Sequence, residues 1–230
     1  MSDRVNDPVV PNISVEHFPV GSLGCVCTIV ADPQAGEAIV VDGGDEVDEI
    51  VRRLGARGVR ATRLVHTHAH VDHIGGLAEL RERTGGQGLL HSADLPLYAM
   101  LAEQARWLGL AVPPALVPID GELHQGDAVT AGAARLDVLH TPGHTRGSCS
   151  FAFELAGRTV LLTGDTLFAG AVGRWDIGGT SLADIVTSIR EKLFAFPDDT
   201  VVIPGHGPAT TIGTERRENP YLAVDPRGPR

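Results

Sequence analysis

The stretch HTHAHVDH, residues 66–73, places four potential metal ligands within six positions at the end of a predicted strand. On a regular strand His68 and His70 would lie on one side, and the turn into the next helix would bring Asp72 and His73 round from another direction. Because a tetrahedral ion does not readily take four ligands from so short a run, this spacing suits two adjacent cations better than one. Taken alone, the stretch also fits a histidine-rich surface loop.

Three further candidate ligands lie in glycine-bearing turns next to predicted strands. They are His144 in the sequence TPGHT, Asp165 in TGDT and His206 in PGHGP. A glycine beside a polar side chain lets the backbone bend so that the ligand reaches inward. Each of these residues alone is more typical of an ordinary loop, whereas all of the motifs in one chain indicate a metal centre.

In this order the motifs HxHxDH, PGHT, GDT and PGHG resemble those of the metallo-β-lactamase superfamily, from about Cys25 to His206. The combination is far more specific than any single short motif. The resemblance implies an α/β fold, a four-layer αβ/βα sandwich with the active site at the edge between the two sheets. It also implies two ligand sets and a bridging carboxylate: His68, His70 and His144 for one metal, Asp72, His73 and His206 for the other, and Asp165 between them.

The hydrophobic pattern is consistent with such a layered protein but does not define its topology. It predicts strands near residues 25–30, 38–41, 63–66, 89–90, 128–130, 136–139, 149–154, 159–162 and 200–203, and helices near 47–54, 72–83, 93–109 and 182–193. We expect a single domain over residues 1–230, with a flexible tail at 1–12. The segment 207–230 is short, so no added substrate domain is expected after the last ligand.

Composition and charge narrow the class of partner. The formal net charge is −10, from 29 acidic and 19 basic side chains, which disfavours nucleic acid. There is no signal peptide pattern and no apolar run long enough to span a membrane. The three cysteines, Cys25, Cys27 and Cys149, do not suggest a disulfide framework. We therefore expect a cytoplasmic protein that acts on a small molecule; the sequence predicts no oligomeric state.

Within the superfamily, the chain resembles the compact bacterial glyoxalase II-type thioesterases. The sequences TGDTLFAG at 163–170 and NPYL at 219–222 are typical of them. The resemblance implies two divalent ions, zinc in the first place, with iron or manganese as alternatives. It also implies that a metal-bridging hydroxide attacks a thioester or related ester, while Asp72 takes the proton of the nucleophile. The products would be a hydroxy acid and a thiol.

Three more residues are candidates around the metals. Arg174 lies nine residues after Asp165, where these relatives hold a lysine that binds the carboxylate of the thiol carrier. We therefore predict that Arg174 binds substrate. Two residues on, relatives have tyrosine where this chain has Asp176, and the alternative is an Arg174–Asp176 pair. Asp42, and with it Asp176, is predicted to support a ligand histidine, although Asp42 also fits as the N-cap of the next helix.

The chief alternative function is a persulfide dioxygenase, an oxidoreductase of the same fold. The chain resembles those enzymes in the sequence GRxD at 173–176 and would then hold one iron on His68, His144 and Asp165. The complete second ligand set favours hydrolysis. A lactonase or β-lactamase-type hydrolase is a further alternative, although one large β-lactamase class has cysteine in the place of Asp165 and lacks the equivalent of His73.

Overall fold

Two six-stranded sheets form the frame of the protein in a computed structural model, which describes residues 13–110, 114–176 and 179–223. The first sheet has its strands in chain order: β1 (Ser14–Val20), β2 (Cys25–Asp32), β3 (Glu37–Val41), β4 (Arg60–Val65), β5 (Gln87–Leu90) and β6 (Gly121–Glu122). The second contains β7 (Ala128–Ala131), β8 (Ala134–His140), β9 (Cys149–Leu155), β10 (Arg158–Gly164), β13 (Val201–Pro204) and β14 (Thr210–Thr211). Its order is β14-β13-β10-β9-β8-β7, and a small separate hairpin is formed by β11 (Leu167–Phe168) and β12 (Ala171–Val172).

Helices connect the strands and cover both sheets. In the first half they are α1 (Val47–Ala56), α2 (Val71–Ile74), α3 (Leu77–Thr84), α4 (Leu95–Tyr98) and α5 (Leu101–Trp107), with a 3-10 turn at Ser92–Asp94. In the second half they are α6 (Leu182–Ser188), which continues as a π-helical turn over Ile189–Leu193, α7 (Ile212–Glu218) and α8 (Pro220–Ala223).

The alternation of side chains along the strands produces four layers. In β3, Ala38 and Val40 pack with α1, α3 and α5 on the outer face, whereas Ile39 and Val41 pack between the two sheets. In β10, Leu161 packs with α6 and α7 on the opposite outer face, and its neighbours point inward. Because strand side chains alternate in this way, each sheet has one face on the common core and one on helices. The predicted αβ/βα sandwich is confirmed.

Two helices and the first strand illustrate how the structure differs from the pattern-based predictions. The predicted helix over 72–83 is interrupted between α2 and α3, because Gly75 and Gly76 bring the backbone close to the loop after β3; a Cβ on Gly76 would lie 2.2 Å from the carbonyl oxygen of Gly43. The helix predicted over 93–109 is divided into the 3-10 turn, α4 and α5. Strand β1 was not predicted, since only Phe18 and Val20 of its side chains are buried.

The two ends of the chain were also predicted. The expected tail at 1–12 lies outside the described residues, as do residues 224–230. The part of the segment 207–230 that the structure describes forms β14, which pairs with β13 at the edge of the second sheet, and α7 and α8, which pack on the outer face of that sheet.

Candidate metal centre

The predicted ligands lie on loops that leave the strands at one edge of the sandwich. Residues 68–73 follow β4, whereas His144, Asp165 and His206 follow β8, β10 and β13. At this edge the two sheets are joined by hydrogen bonds between backbones, from the Cys149 amide to the Thr67 carbonyl at 2.7 Å and from the Val26 amide to the Gly205 carbonyl at 2.7 Å. The loops of both sheets therefore meet in one place.

The first predicted ligand set is tightly grouped. His70 Nδ1 lies 2.9 Å from His68 Nε2 and 2.9 Å from His144 Nε2. Zinc binds imidazole nitrogens at about 2.0–2.1 Å, which places two tetrahedral ligands roughly 3.3 Å apart. Burial, together with the charges that neighbouring histidines would carry, lowers the pKa of His70 and of His144 to about 4. These rings are therefore neutral at pH 7 and have nitrogen lone pairs to offer a cation.

The second predicted set lies beside the first. His206 Nε2 is 3.3 Å from His73 Nε2 and 3.2 Å from Asp72 Oδ2, and His73 Nε2 is 3.6 Å from the same oxygen. Burial raises the pKa of Asp72, but the hydrogen bond from His206 and the charge of His73 outweigh it and hold the pKa well below its usual range. Asp72 is thus a carboxylate at neutral pH.

Asp165 lies between the two sets and its two oxygens face different histidines. Oδ2 is 3.6 Å from His144 Nε2, whereas Oδ1 is 3.4 Å from His73 Nε2 and 3.7 Å from His206 Nε2. Among the described residues, the buried Oδ1 atom has no hydrogen-bond partner. A buried carboxylate oxygen without a donor is costly, and a divalent cation on each side of Asp165 would relieve that cost. The residues therefore fit two metal ions, and the allocation of individual ligands stays a prediction that this geometry supports.

Hydrogen bonds behind the histidines orient most of the rings. His144 Nδ1 donates to the Arg174 carbonyl at 2.8 Å, and His206 Nδ1 donates to the Leu23 carbonyl at 3.1 Å. His68 Nδ1 lies 3.0 Å from the hydroxyl of Thr67. Such contacts fix which nitrogen faces a metal. None of these three supporting groups was found from the sequence, because a backbone carbonyl has no residue signature and a threonine in this position has no special one.

Asp42 is the supporting carboxylate that the sequence did indicate. Its Oδ2 accepts a hydrogen bond from His73 Nδ1 at 3.0 Å and another from the Thr67 hydroxyl at 2.7 Å, and its Oδ1 accepts one from the Thr67 amide. The alternative, that Asp42 caps α1, is wrong: the N-cap residue is Glu46, and no side chain caps that helix. Asp42 thus contacts the second ligand set directly at His73, and it is connected to the first through Thr67, whose hydroxyl lies beside His68 Nδ1.

Arg174 and Asp176 form an ion pair with each other, which is the predicted alternative to substrate binding by Arg174. Arg174 Nε and Nη2 donate to the two oxygens of Asp176, each at 3.0 Å, and both side chains are exposed. The prediction that Asp176 supports a histidine is wrong, because its carboxylate faces the guanidinium of Arg174. The part of Arg174 that reaches the cluster is its carbonyl. The binding of substrate by its guanidinium stays a prediction.

Comparison with known proteins identifies the family of this chain. The profile of the metallo-β-lactamase superfamily matches residues 20–206. The chain belongs to the metallo-β-lactamase superfamily. A family that binds metal ions is consistent with the cluster of histidines and aspartates at the sheet edge.

Two relatives of this superfamily member are similar to it over nearly their whole length. The chain is 38% identical over 210 residues to an uncharacterized protein of Aquifex aeolicus, covering 90% of this chain and 96% of the relative. It is 33% identical over 211 residues to the hydroxyacylglutathione hydrolase GloC of Haemophilus influenzae, covering 91% of this chain and 98% of the relative.

Three solved structures have the same fold as this chain, and they differ in the metal or activity for which they are named. The B3 metallo-β-lactamase BLEG-1 has a TM-score of 0.82 at 30% identity, covering 92% of this chain and 100% of that one. TTHA1623 in a di-iron-bound form has a TM-score of 0.79 at 35% identity, covering 90% and 100%. ETHE1 from Myxococcus xanthus has a TM-score of 0.76 at 25% identity, covering 92% and 86%.

No helix in the described part of the chain is both long and apolar enough to cross a lipid bilayer.

Proposed function

We propose that this superfamily member hydrolyses a hydroxyacyl thioester to a hydroxy acid and a thiol. The observation that carries the proposal is the position of Asp165, whose two oxygens face His144 on one side and His73 and His206 on the other. A carboxylate placed in this way suits two metal ions better than one. The similarity to the hydroxyacylglutathione hydrolase of Haemophilus influenzae supports the thioester as substrate.

The residues of the cluster would hold two divalent ions, which we propose to be zinc, with iron or manganese as alternatives. Such ions lower the pKa of water and polarise a carbonyl group. Asp72 has the properties needed of a proton acceptor in this reaction. Its side chain is 19% exposed, so it reaches the solvent side of the cluster, and its Oδ2 lies 3.2 Å from His206 Nε2. Being ionised at neutral pH, it can take the proton of the attacking water.

Two other activities have a specific observation in their favour. The likeness to the B3 metallo-β-lactamase BLEG-1 makes a β-lactam amide the second candidate substrate. The likeness to ETHE1 supports a second alternative, an oxidoreductase that holds one iron. Such an enzyme would bind the iron with His68, His144 and Asp165 and would not use the second ligand set. The close packing of Asp72, His73 and His206 favours a hydrolase with two metal ions over an oxidoreductase with one iron, because three further ligand atoms lie within 3.6 Å of one another.

One assay panel tests the proposal. The chain is loaded separately with zinc, iron and manganese and offered a hydroxyacyl thioester, a β-lactam and a persulfide, with release of thiol, opening of the lactam and uptake of oxygen as readouts. We expect metal-dependent release of thiol that is largely lost in Asp72→Asn. Asp48→Asn, which changes an exposed carboxylate on α1, is the matched control and should retain the activity.

The outcome that contradicts the proposal is equally specific. Oxygen uptake with iron, without release of thiol from the thioester, would show that the protein is an oxidoreductase. Opening of the β-lactam alone would show that the substrate is a β-lactam amide. Retention of thioesterase activity in Asp72→Asn would leave the substrate class standing and remove the role of Asp72 as proton acceptor.

A further inference from the structure

Two buried polar side chains lie directly behind the loops that carry the first ligand set, and neither is a predicted ligand. Asp94, in the 3-10 turn before α4, is 1% exposed, and Gln104, in α5, is 5% exposed. Buried polar groups are nearly always hydrogen-bonded. Their partners are therefore informative about what they do.

Asp94 connects the two ligand loops of the first set. Its Oδ2 accepts from the Ala69 amide at 3.0 Å and from the Thr145 hydroxyl at 2.8 Å, and its Oδ1 accepts from the Gly147 amide at 2.7 Å. Ala69 lies between His68 and His70, while Thr145 and Gly147 follow His144 in sequence. One carboxylate thus spans the loop after β4 and the loop after β8.

Gln104 holds the same loop through other backbone groups. Its Oε1 accepts from the Val71 amide at 3.0 Å, and its Nε2 donates to the Ala69 carbonyl at 3.1 Å and to the Leu97 carbonyl at 2.9 Å. Asp94 and Gln104 together therefore engage the backbone immediately before and immediately after His70.

His70 is the ligand that most needs such support. The rings of His68, His73, His144 and His206 each have Nδ1 within hydrogen-bonding distance of a group behind them. In His70 it is Nδ1 that faces the other histidines, and within the described residues its Nε2 has no protein partner. The orientation of this ring thus depends on the backbone that carries it.

We propose that Asp94 and Gln104 are positioning residues for the first metal site: Asp94 sets the distance between the His70 and His144 loops, Gln104 holds the His70 loop in place, and both thereby set the affinity for the metal. The inference rests on the metal centre of the proposed function. Groups that hold a ligand from behind typically account for about ten- to a hundredfold in metal affinity. We expect an effect of this size although neither residue touches the ion.

The test isolates the first site by placing all variants in a His206→Ala background, which removes a predicted ligand of the second site. Zinc affinity is measured by competition with a chromophoric chelator, and stability by thermal unfolding. We expect Asp94→Asn and Gln104→Met each to weaken zinc binding by roughly ten- to a hundredfold. Cobalt(II) in place of zinc should show an altered absorption spectrum in the same variants, because the ligand geometry changes.

Asp32→Asn is the matched control. Asp32 is also buried and its carboxylate accepts from three backbone amides, those of Gln34, Ala35 and Ala133. None of these belongs to a ligand loop. The substitution should lower the unfolding temperature as Asp94→Asn does while leaving zinc affinity unchanged.

A milder pair of variants keeps the inference open to refutation if Asp94→Asn does not fold. Thr145→Val removes the hydroxyl that Asp94 accepts from, whereas Thr145→Ser keeps it. We expect weaker zinc binding in the first and normal binding in the second. Unchanged zinc affinity in both Thr145→Val and Gln104→Met would overturn the inference while the metal centre stands. Absence of zinc binding by the unsubstituted chain would instead overturn the metal centre itself.

Discussion

At the scale of single residues, the position of a side chain between two ligand sets matters more than its chemical type. His206 contributes one nitrogen near Asp72 and His73, whereas Asp165 extends one oxygen toward each set. A ligand shared by two ions contributes to the binding of both. Loss of a terminal ligand leaves the other site with all of its donors.

This difference predicts an order of effects between two substitutions. Asp165→Ala should lower the content of both metals and abolish activity, whereas His206→Ala should lower mainly the occupancy of one. Elemental analysis after dialysis against a weak chelator measures the number of ions per chain. His17→Ala, an exposed histidine on β1, is the control for general effects. Equal and small losses in Asp165→Ala and His206→Ala would show that Asp165 does not bridge.

The pair formed by Arg174 and Asp176 leads to a second prediction. Both side chains are exposed, so the ion pair is readily exchanged, and a carboxylate on the thiol carrier can replace Asp176. Asp176→Asn should therefore lower KM for a carboxylated thioester. Arg174→Ala should raise that KM by roughly ten- to a hundredfold, the range of a charge-assisted hydrogen bond, with kcat nearly unchanged because binding is lost uniformly.

A neutral ester gives the control for both substitutions. It offers the guanidinium nothing, so Asp176→Asn and Arg174→Ala should leave its hydrolysis unchanged. If Arg174→Ala impairs the neutral ester equally, the Arg174 side chain shapes the loop whose carbonyl contacts His144 and does not bind the substrate.

The candidate ligands could be predicted from sequence because their motifs are made of side chains with distinctive chemistry in distinctive spacing. Asp42 was half predicted, since an aspartate after a strand fits a cap and a support equally well until His73 is placed beside it. The carbonyls of Leu23 and Arg174 could not be predicted, because every residue has one. Asp94 was missed because its partners lie in loops 25 and more than 50 residues away in sequence.

At the scale of elements, the four layers could be predicted in outline, but the breaks in the helices could not. Alternation of apolar residues predicts strands, and a resemblance predicts their order. The break between α2 and α3 depends on a neighbour: Gly75 and Gly76 lie against the loop after β3, which is distant in sequence. The spacing of apolar residues contains no information about a contact with a distant loop, so it predicts one continuous helix over 72–83.

The same close approach gives a prediction at Gly44. A Cβ on this residue would lie 1.8 Å from the Asp72 carbonyl oxygen and 2.8 Å from the His73 nitrogen. Gly44→Ala should therefore displace α2, destabilise the fold by about 1–3 kcal/mol, and weaken metal binding at the second set. Thermal unfolding and zinc competition measure the two effects.

Gly55→Ala is the matched control within α1. Beyond the backbone of α1 itself, a methyl group at this position would have no atom within 4 Å, and alanine in a helix is more favourable than glycine by about 0.5–1 kcal/mol. The substitution should raise stability and leave zinc binding unchanged. A normal zinc affinity in Gly44→Ala would mean that the loop after β3 yields to the methyl group without moving Asp72.

At the scale of the whole molecule, the candidate metal centre joins the two halves of the sandwich. The segment 68–73 follows a strand of the first sheet, whereas His144, Asp165 and His206 follow strands of the second. The protein-only connections at this edge include the backbone hydrogen bonds of Val26 and Cys149. Two cations ligated from both sides would therefore act as cross-links, in addition to these hydrogen bonds and to the common apolar core of the two sheets.

Removal of metal should accordingly lower the stability of the entire fold. A ligand that binds only the folded state stabilises it by about 2.7 kcal/mol when its free concentration is a hundred times Kd. For a chain of this length each kcal/mol corresponds to about 2–4 °C, so one zinc ion should raise the unfolding temperature by roughly 5–10 °C. Scanning calorimetry with and without a strong chelator measures the shift. The His206→Ala variant should show part of this temperature shift, and the Asp32→Asn variant should show all of it. An unfolding temperature that does not change when the chelator is added would contradict cross-linking by metal.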